Sequence, residues 1–276
     1  MLKKLIKHEW KDTWSVGTTC SVIVLVLTII GLFVLNEDIW RESANRSDMA
    51  EDFTVITMML YLMMFVWGLV AAAFVVRYYF FWRYYKNLFT DQGYLMNTLP
   101  VKSTDLINAK LIVAVIWQYI ISIIIGLGIF VLVMGVVGGI APYSWSEFWQ
   151  ELQELFREID WSEFGEFVPF LICMFLCMLL APIGSVLLMY TAVGIGQMVK
   201  KYKFLVSVFI LIGLLIARQA ITSYASLPFS LAMNEWDITT TMVNIGSFIS
   251  VLVLTGAIIG LYFLNKYFLE KRLNLE

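Results

Sequence analysis

Residues 77–110 read RYYFFWRYYKNLFTDQGYLMNTLPVKSTDLINAK. Long apolar runs lead into this polar stretch from residues 60–76 and out of it through 111–133. It opens with Arg77, Tyr78, Tyr79, Trp82, Arg83, Tyr84 and Tyr85, as expected where a helix leaves a bilayer through an aromatic belt. The helix has no reason to stop there, so it is expected to project beyond the membrane. Gly93 reads as a helix stop, Pro100 as a break, and Ser103 or Thr104 as the cap of the next helix. Between these signals Leu88, Phe89, Tyr94, Leu95, Met96 and Leu99 are too apolar for a free loop. Either the chain's own helix ends or a partner must cover them.

The rest of the chain agrees with a membrane setting. It is 61% hydrophobic and 14% charged, with a mean hydropathy of +0.82. A soluble domain is about 45–50% apolar and about 25% charged. The net charge of −2 gives no case for nucleic acid. Cys20, Cys173 and Cys177 all sit in apolar runs, where cysteine acts as a small hydrophobe. Residues 1–14, MLKKLIKHEWKDTW, set Leu2, Leu5, Ile6 and Trp10 on one helical face and Lys3, Lys4, Lys7 and Lys11 on the other. This predicts an amphipathic helix in the inner interface, with lysines toward anionic lipid headgroups. Glu9 and Asp12 interleave the basic residues, which speaks against a cleavable signal.

Six spans follow, at residues 17–35, 54–76, 111–134, 167–199, 204–217 and 238–264. Each is judged against the roughly 20 apolar residues that a helix needs to cross a bilayer. The fifth reaches full length only if Arg218 lies inside its outer end. Pro182 and Gly184 are a possible kink in the fourth, and Gly256 and Gly260 form a GxxxG spacing in the sixth. The segment 142–166 is too charged to span. Its Trp145, Phe148, Trp149, Leu152, Leu155, Phe156 and Ile159 recur at helical spacing, and Ser144 with Glu147 fits a capping box. It is expected to lie as a helix on the outer interface or to cap the bundle. With both termini in the cytoplasm, the inner segments hold 15 of the 19 lysines and arginines, and the outer segments 15 of the 21 acids. Basic residues are kept inside, so the expected fold is all-α: a single transmembrane domain over 1–276, with six spans and both ends cytoplasmic.

The chain resembles the ABC-2 type permeases, the membrane subunits of bacterial ABC exporters. The likeness rests on the basic start LKKLIKHEWKDT, the six-span layout, and especially YKNLFTDQGYLMNTLPVKSTDLINAKL, which is similar to a phrase of small Gram-positive permeases. The acidic helix at 144–159 departs from the family pattern. The resemblance implies a location in the bacterial plasma membrane, a second permease subunit (a copy or a paralogue), and two soluble ATPase subunits on the cytoplasmic face. It implies that the 77–110 loop supplies a coupling helix docking in an ATPase groove. The contact would then fall at 87–100, with Leu88, Phe89, Tyr94 and Leu95 as anchors, Asp91 as a polar contact, and Asn87 and Pro100 at its limits. Lys200, Lys201 and Lys203 would form a second inner contact, or serve only as a topogenic cluster.

No GxxxxGK[ST] pattern occurs in the chain, so ATP and Mg²⁺ would bind on the partner, and the chain itself is not expected to be an enzyme. A single histidine, His8, leaves no Ser–His–Asp set and no metal-spaced His/Cys set. Arg218 is the candidate for a substrate contact or an outer gate, because an ionisable group in a span is functional by default. It has Glu235 or Asp237 as sequence partners, and snorkelling to the interface as its plainer role. The scarcity of other charges in the spans speaks against an ion-coupled carrier. The acidic outer face favours a cationic amphipathic cargo such as a peptide. A membrane immunity or sensor protein binding a peptide outside is the competing expectation.

Overall fold

The computed structural model describes residues 2–34, 48–90, 103–140, 149–150, 153–154, 156–157, 161–199, 201–234 and 240–271. Among these the chain is all-helical, with no strand. Its six long helices are α1 (Leu2–Val34), α2 (Asp48–Phe89), α3 (Ser103–Ile140), α4 (Trp161–Gly196), α5 (Lys203–Asn234) and α6 (Thr240–Lys271). All six are long and apolar enough to cross a membrane, which makes this a multi-pass membrane protein.

Several helices outrun the expected spans. Residues 2–14 are the opening turns of α1 and continue into the first span without a break. Leu2, Leu5, Ile6 and Trp10 are half-buried there, while Lys3, Lys4, Lys7 and Lys11 are exposed. Helix α2 continues through the aromatic stretch to Phe89, and α3 starts at Ser103, where a cap was expected. Helix α4 carries Pro169 and Pro182 inside an unbroken run. Between the fifth and sixth expected spans, α5 stays helical as far as Asn234, through Pro228. Proline is tolerated in membrane helices because neighbours re-satisfy the freed backbone groups. Within 144–159 the described residues 149–150, 153–154 and 156–157 are helical, and Trp149 and Phe156 are exposed.

The chain groups into two compact units. One comprises Lys11–Tyr78 and Ile116–Ile159, the other Met1–Trp10, Tyr79–Val115 and Asp160–Glu276. In the first unit Val24, Tyr61, Phe65, Leu69, Ala72 and Leu132 form a buried cluster, with Leu27, Ile124 and Ile125 packed against it. Polar and small residues close this packing. Thr13 accepts from the Trp117 indole N–H at 3.1 Å, and the Tyr61 hydroxyl donates to the Leu27 carbonyl at 2.9 Å. Gly17 lies against the Trp117 ring, and a Cβ on Gly128 would come within 2.6 Å of Thr28 Oγ1. The buried positions of α1 are thus Glu9, Thr13, Gly17, Cys20, Val24, Thr28 and Gly31, while Ile23, Leu25, Val26, Ile29, Ile30 and Phe33 point outward. Lipid tails are as apolar as leucine, so membrane helices meet through small and polar faces.

In the second unit one end of each helix converges. Tyr84 of α2 stacks on Tyr190 of α4, with ring centroids 3.6 Å apart and planes 8° apart. Phe81 and Tyr85 of α2 meet Phe204 at the start of α5, at 5.9 and 5.1 Å. The Tyr262 hydroxyl of α6 donates to Asn108 of α3 at 3.0 Å. Gly194 and Gly196 of α4 lie against Phe268 of α6 and Ser207 of α5. The buried Asn265 amide donates to the Leu187 carbonyl, Thr191 Oγ1 and the Leu261 carbonyl. Glu9 ties the start of α1 to α2 and α3. The helices therefore alternate in direction, and the start of α1 lies at the same end as the close of α6. The placement of lysine and arginine assigns that end to the cytoplasm.

Candidate functional site

The converged end is the candidate site, and its centre is a buried charge cluster on α1, α2 and α3. Glu9 Oε2 accepts from Arg83 Nε at 3.2 Å and from Arg83 Nη2 at 2.9 Å. Its Oε1 accepts from Lys110 Nζ at 2.5 Å. Arg83 Nη1 also donates to the Tyr79 hydroxyl at 3.4 Å. The side chains of Glu9, Arg83 and Lys110 are 7%, 13% and 4% exposed. One carboxylate thus holds two buried cations, and the cluster carries a net charge of +1. Glu9 is brought inward because it follows Leu5 by one turn and precedes Thr13 and Gly17 on the buried stripe of α1. Arg83 lies within the aromatic end of α2, and Lys110 stands where α3 meets its first apolar run.

The packing around the cluster is tight. Phe80, Tyr84, Val113 and Tyr190 join the three charged residues around a cavity of about 10 Å³, room for about one water. No cofactor or substrate fits that space, and both carboxylate oxygens are already engaged by cations. The arrangement is suited to fixing helix positions rather than to proton transfer or nucleophilic chemistry. Outside it, Lys86 sits 4.9 Å over the half-exposed Trp82 ring, a cation–π contact in the aromatic belt.

The residues singled out from sequence fall unequally around this centre. Asn87 and Phe89 are half-buried at the end of α2, and the Phe89 ring lies 6.0 Å from that of Tyr84. Leu88 is fully buried within the chain, so in this conformation it packs inward and offers no surface to a partner. Asp91, Tyr94, Leu95 and Pro100 lie outside the described residues, as does Lys200. Lys201 is exposed and Lys203 half-buried. Because Phe204 contacts Phe81 and Tyr85, the start of α5 adjoins the end of α2, which brings the two expected inner contacts together. Arg218 is elsewhere. It is exposed midway along α5, 15 residues past Lys203, or about 22 Å along the axis. Glu235 and Asp237, its sequence partners, lie outside the described residues.

Sequence reasoning passed over Glu9, Arg83 and Lys110 as a group, and Asn265 as well. Glu9 served only as evidence about a signal peptide, Arg83 and Lys110 only as inner positive charge, and Asn265 as the beginning of a tail. The usable signal is the four-residue spacing Glu9, Thr13, Gly17, which continues through Cys20, Val24 and Thr28 as one face of the helix. No family model matches this chain, and it has no match among curated proteins or solved structures.

Proposed function

We propose that this chain is the permease subunit of an ATP-driven ABC exporter in a bacterial plasma membrane, moving a peptide or other amphipathic compound outward by alternating access. Separate ATPase subunits bind ATP and Mg²⁺, and a second permease subunit completes the pathway. The observation that carries the reading is the pair of helix stems flanking residues 90–102. Helix α2 extends 13 residues past Val76 to Phe89, roughly 20 Å of rigid rod. Helix α3 starts seven residues before the buried Lys110. Rigid stems that leave the apolar region on the basic side suit the transmission of a push from a soluble motor. The resemblance of 85–111 to the ABC-2 type permeases and the lack of a phosphate-binding loop in the chain point the same way. The acidic outer segments favour a cationic cargo.

The test is purification of the chain from its native membrane in mild detergent, followed by mass spectrometry. A stoichiometric polypeptide carrying a GxxxxGK[ST] motif, with vanadate-sensitive ATP hydrolysis, is the expected result. A chain that stays alone refutes the reading and favours the immunity or sensor protein.

A further inference from the structure

We propose that Glu9 is a positioning residue that joins the stems of α2 and α3 into one rigid fork, so that force applied to one stem is carried by both. This rests on the reading of the chain as a permease driven by a separate ATPase. The geometry is specific to such a role. Arg83 stands six residues before the end of α2, and Lys110 seven residues after the start of α3. The anchored points therefore lie about 9 and 11 Å from the stem ends. Both cations reach the same carboxylate, each on its own oxygen. Arg83 is fixed further by Tyr79 on the same helix, so its guanidinium has little freedom to follow Glu9 elsewhere. Removing the negative charge takes away the one acceptor group that both cations share, so the stems lose their common anchor on α1. An apolar contact of the same size would pack the helices as well but would not fix the register of two stems through a single atom group.

The experiment places spin labels on the full-length chain at Lys86→Cys and Asp105→Cys, one per stem and neither in the cluster, with Cys20, Cys173 and Cys177 replaced by alanine. The stem-to-stem distance is read by pulsed electron resonance in nanodiscs, with and without ATP and vanadate on the co-purified ATPase. The wild-type background is expected to give one narrow distance, unchanged by nucleotide. Glu9→Asp, which keeps the charge, is expected to retain that single distance. Glu9→Gln, which keeps the shape, is expected to lose it. Where Glu9→Gln does not fold, Glu9→Gln with Lys110→Met removes one of the two buried cations while leaving the stems unjoined, and loss of the single distance is again expected. A narrow wild-type-like distance in the folded charge-removal variant overturns the proposal. If no ATPase co-purifies, the permease reading falls, yet the nucleotide-free distances still decide whether Glu9 joins the stems.

Discussion

Deleting the positive charge of Lys110 should have opposite consequences depending on whether Glu9 is charged. In the native cluster, Lys110 Nζ and the Arg83 guanidinium engage the two oxygens of one carboxylate. For two like charges about 6 Å apart at an effective dielectric constant of about 20, the mutual repulsion is on the order of 3 kcal/mol. Glu9 more than offsets it. Glu9→Gln removes the carboxylate shared by side chains 4% and 13% exposed, and a cost of about 3–5 kcal/mol is expected for breaking a buried ion pair on one side. Lys110→Met alone leaves the Glu9–Arg83 pair intact and costs about 2 kcal/mol, one charged hydrogen bond. In the Glu9→Gln background the same Lys110→Met change removes the repulsion and should restore about 3 kcal/mol. The sign of its effect therefore reverses. Unfolding in mixed micelles with increasing dodecyl sulfate, followed by tryptophan fluorescence, gives the four corners of the cycle. Equal effects of Lys110→Met in both backgrounds, within about 0.5 kcal/mol, would refute the cluster as a coupled unit.

Four further outcomes follow from the packing and the backbone. Gly196→Ala places a Cβ against Ser207 Oγ and 2.8 Å from the Ser207 Cα, so α4 and α5 must part, and a loss of about 1–3 kcal/mol is expected. Gly256→Ala meets nothing within 4 Å and should leave the same unfolding curve within about 0.5 kcal/mol; an equal loss in both variants would contradict this helix placement. Asn265→Leu removes the amide that donates to the Leu187 carbonyl and Thr191 Oγ1. Interhelical hydrogen bonds in membranes are worth about 0.6–1.7 kcal/mol, and a drop of that size is expected. Tyr202 has a φ of 57°, a left-handed conformation that costs a residue with a Cβ roughly 1–2 kcal/mol. Tyr202→Gly is accordingly expected to raise stability by about 0.5–1 kcal/mol, and a loss would show that the tyrosine ring holds the turn.

The apolar runs made the six crossings legible because no soluble fold sustains so many of them. The extension of α2 was readable too, from the aromatic and basic residues that carry its helix beyond Val76. Boundaries were harder. The fifth span reads as 204–217, yet the helix runs on past Arg218 and Pro228 to Asn234, since an exposed arginine and a proline are both compatible with a continuing membrane helix. The buried cluster escaped for a different reason. Reading Leu2, Leu5, Ile6 and Trp10 as the apolar face of a helix lying in the inner interface gives no role to the residues that meet other helices. In lipid the meeting face is the small and polar one, so Glu9, Thr13 and Gly17 were the informative residues. Pairing Glu9 with Arg83 and Lys110 also required the tertiary arrangement, since 74 and 101 residues separate them. The GxxxG spacing in α6 makes no contact among the described residues: a Cβ on Gly256 or Gly260 has nothing within 4 Å.

The most direct measurement places a photo-crosslinking phenylalanine analogue at position 89, the half-buried residue that closes α2, and irradiates intact cells. A permease whose inner stems meet a separate motor should yield one dominant adduct with a polypeptide bearing a nucleotide-binding GxxxxGK[ST] motif. Adducts confined to this chain and to lipid would contradict that account.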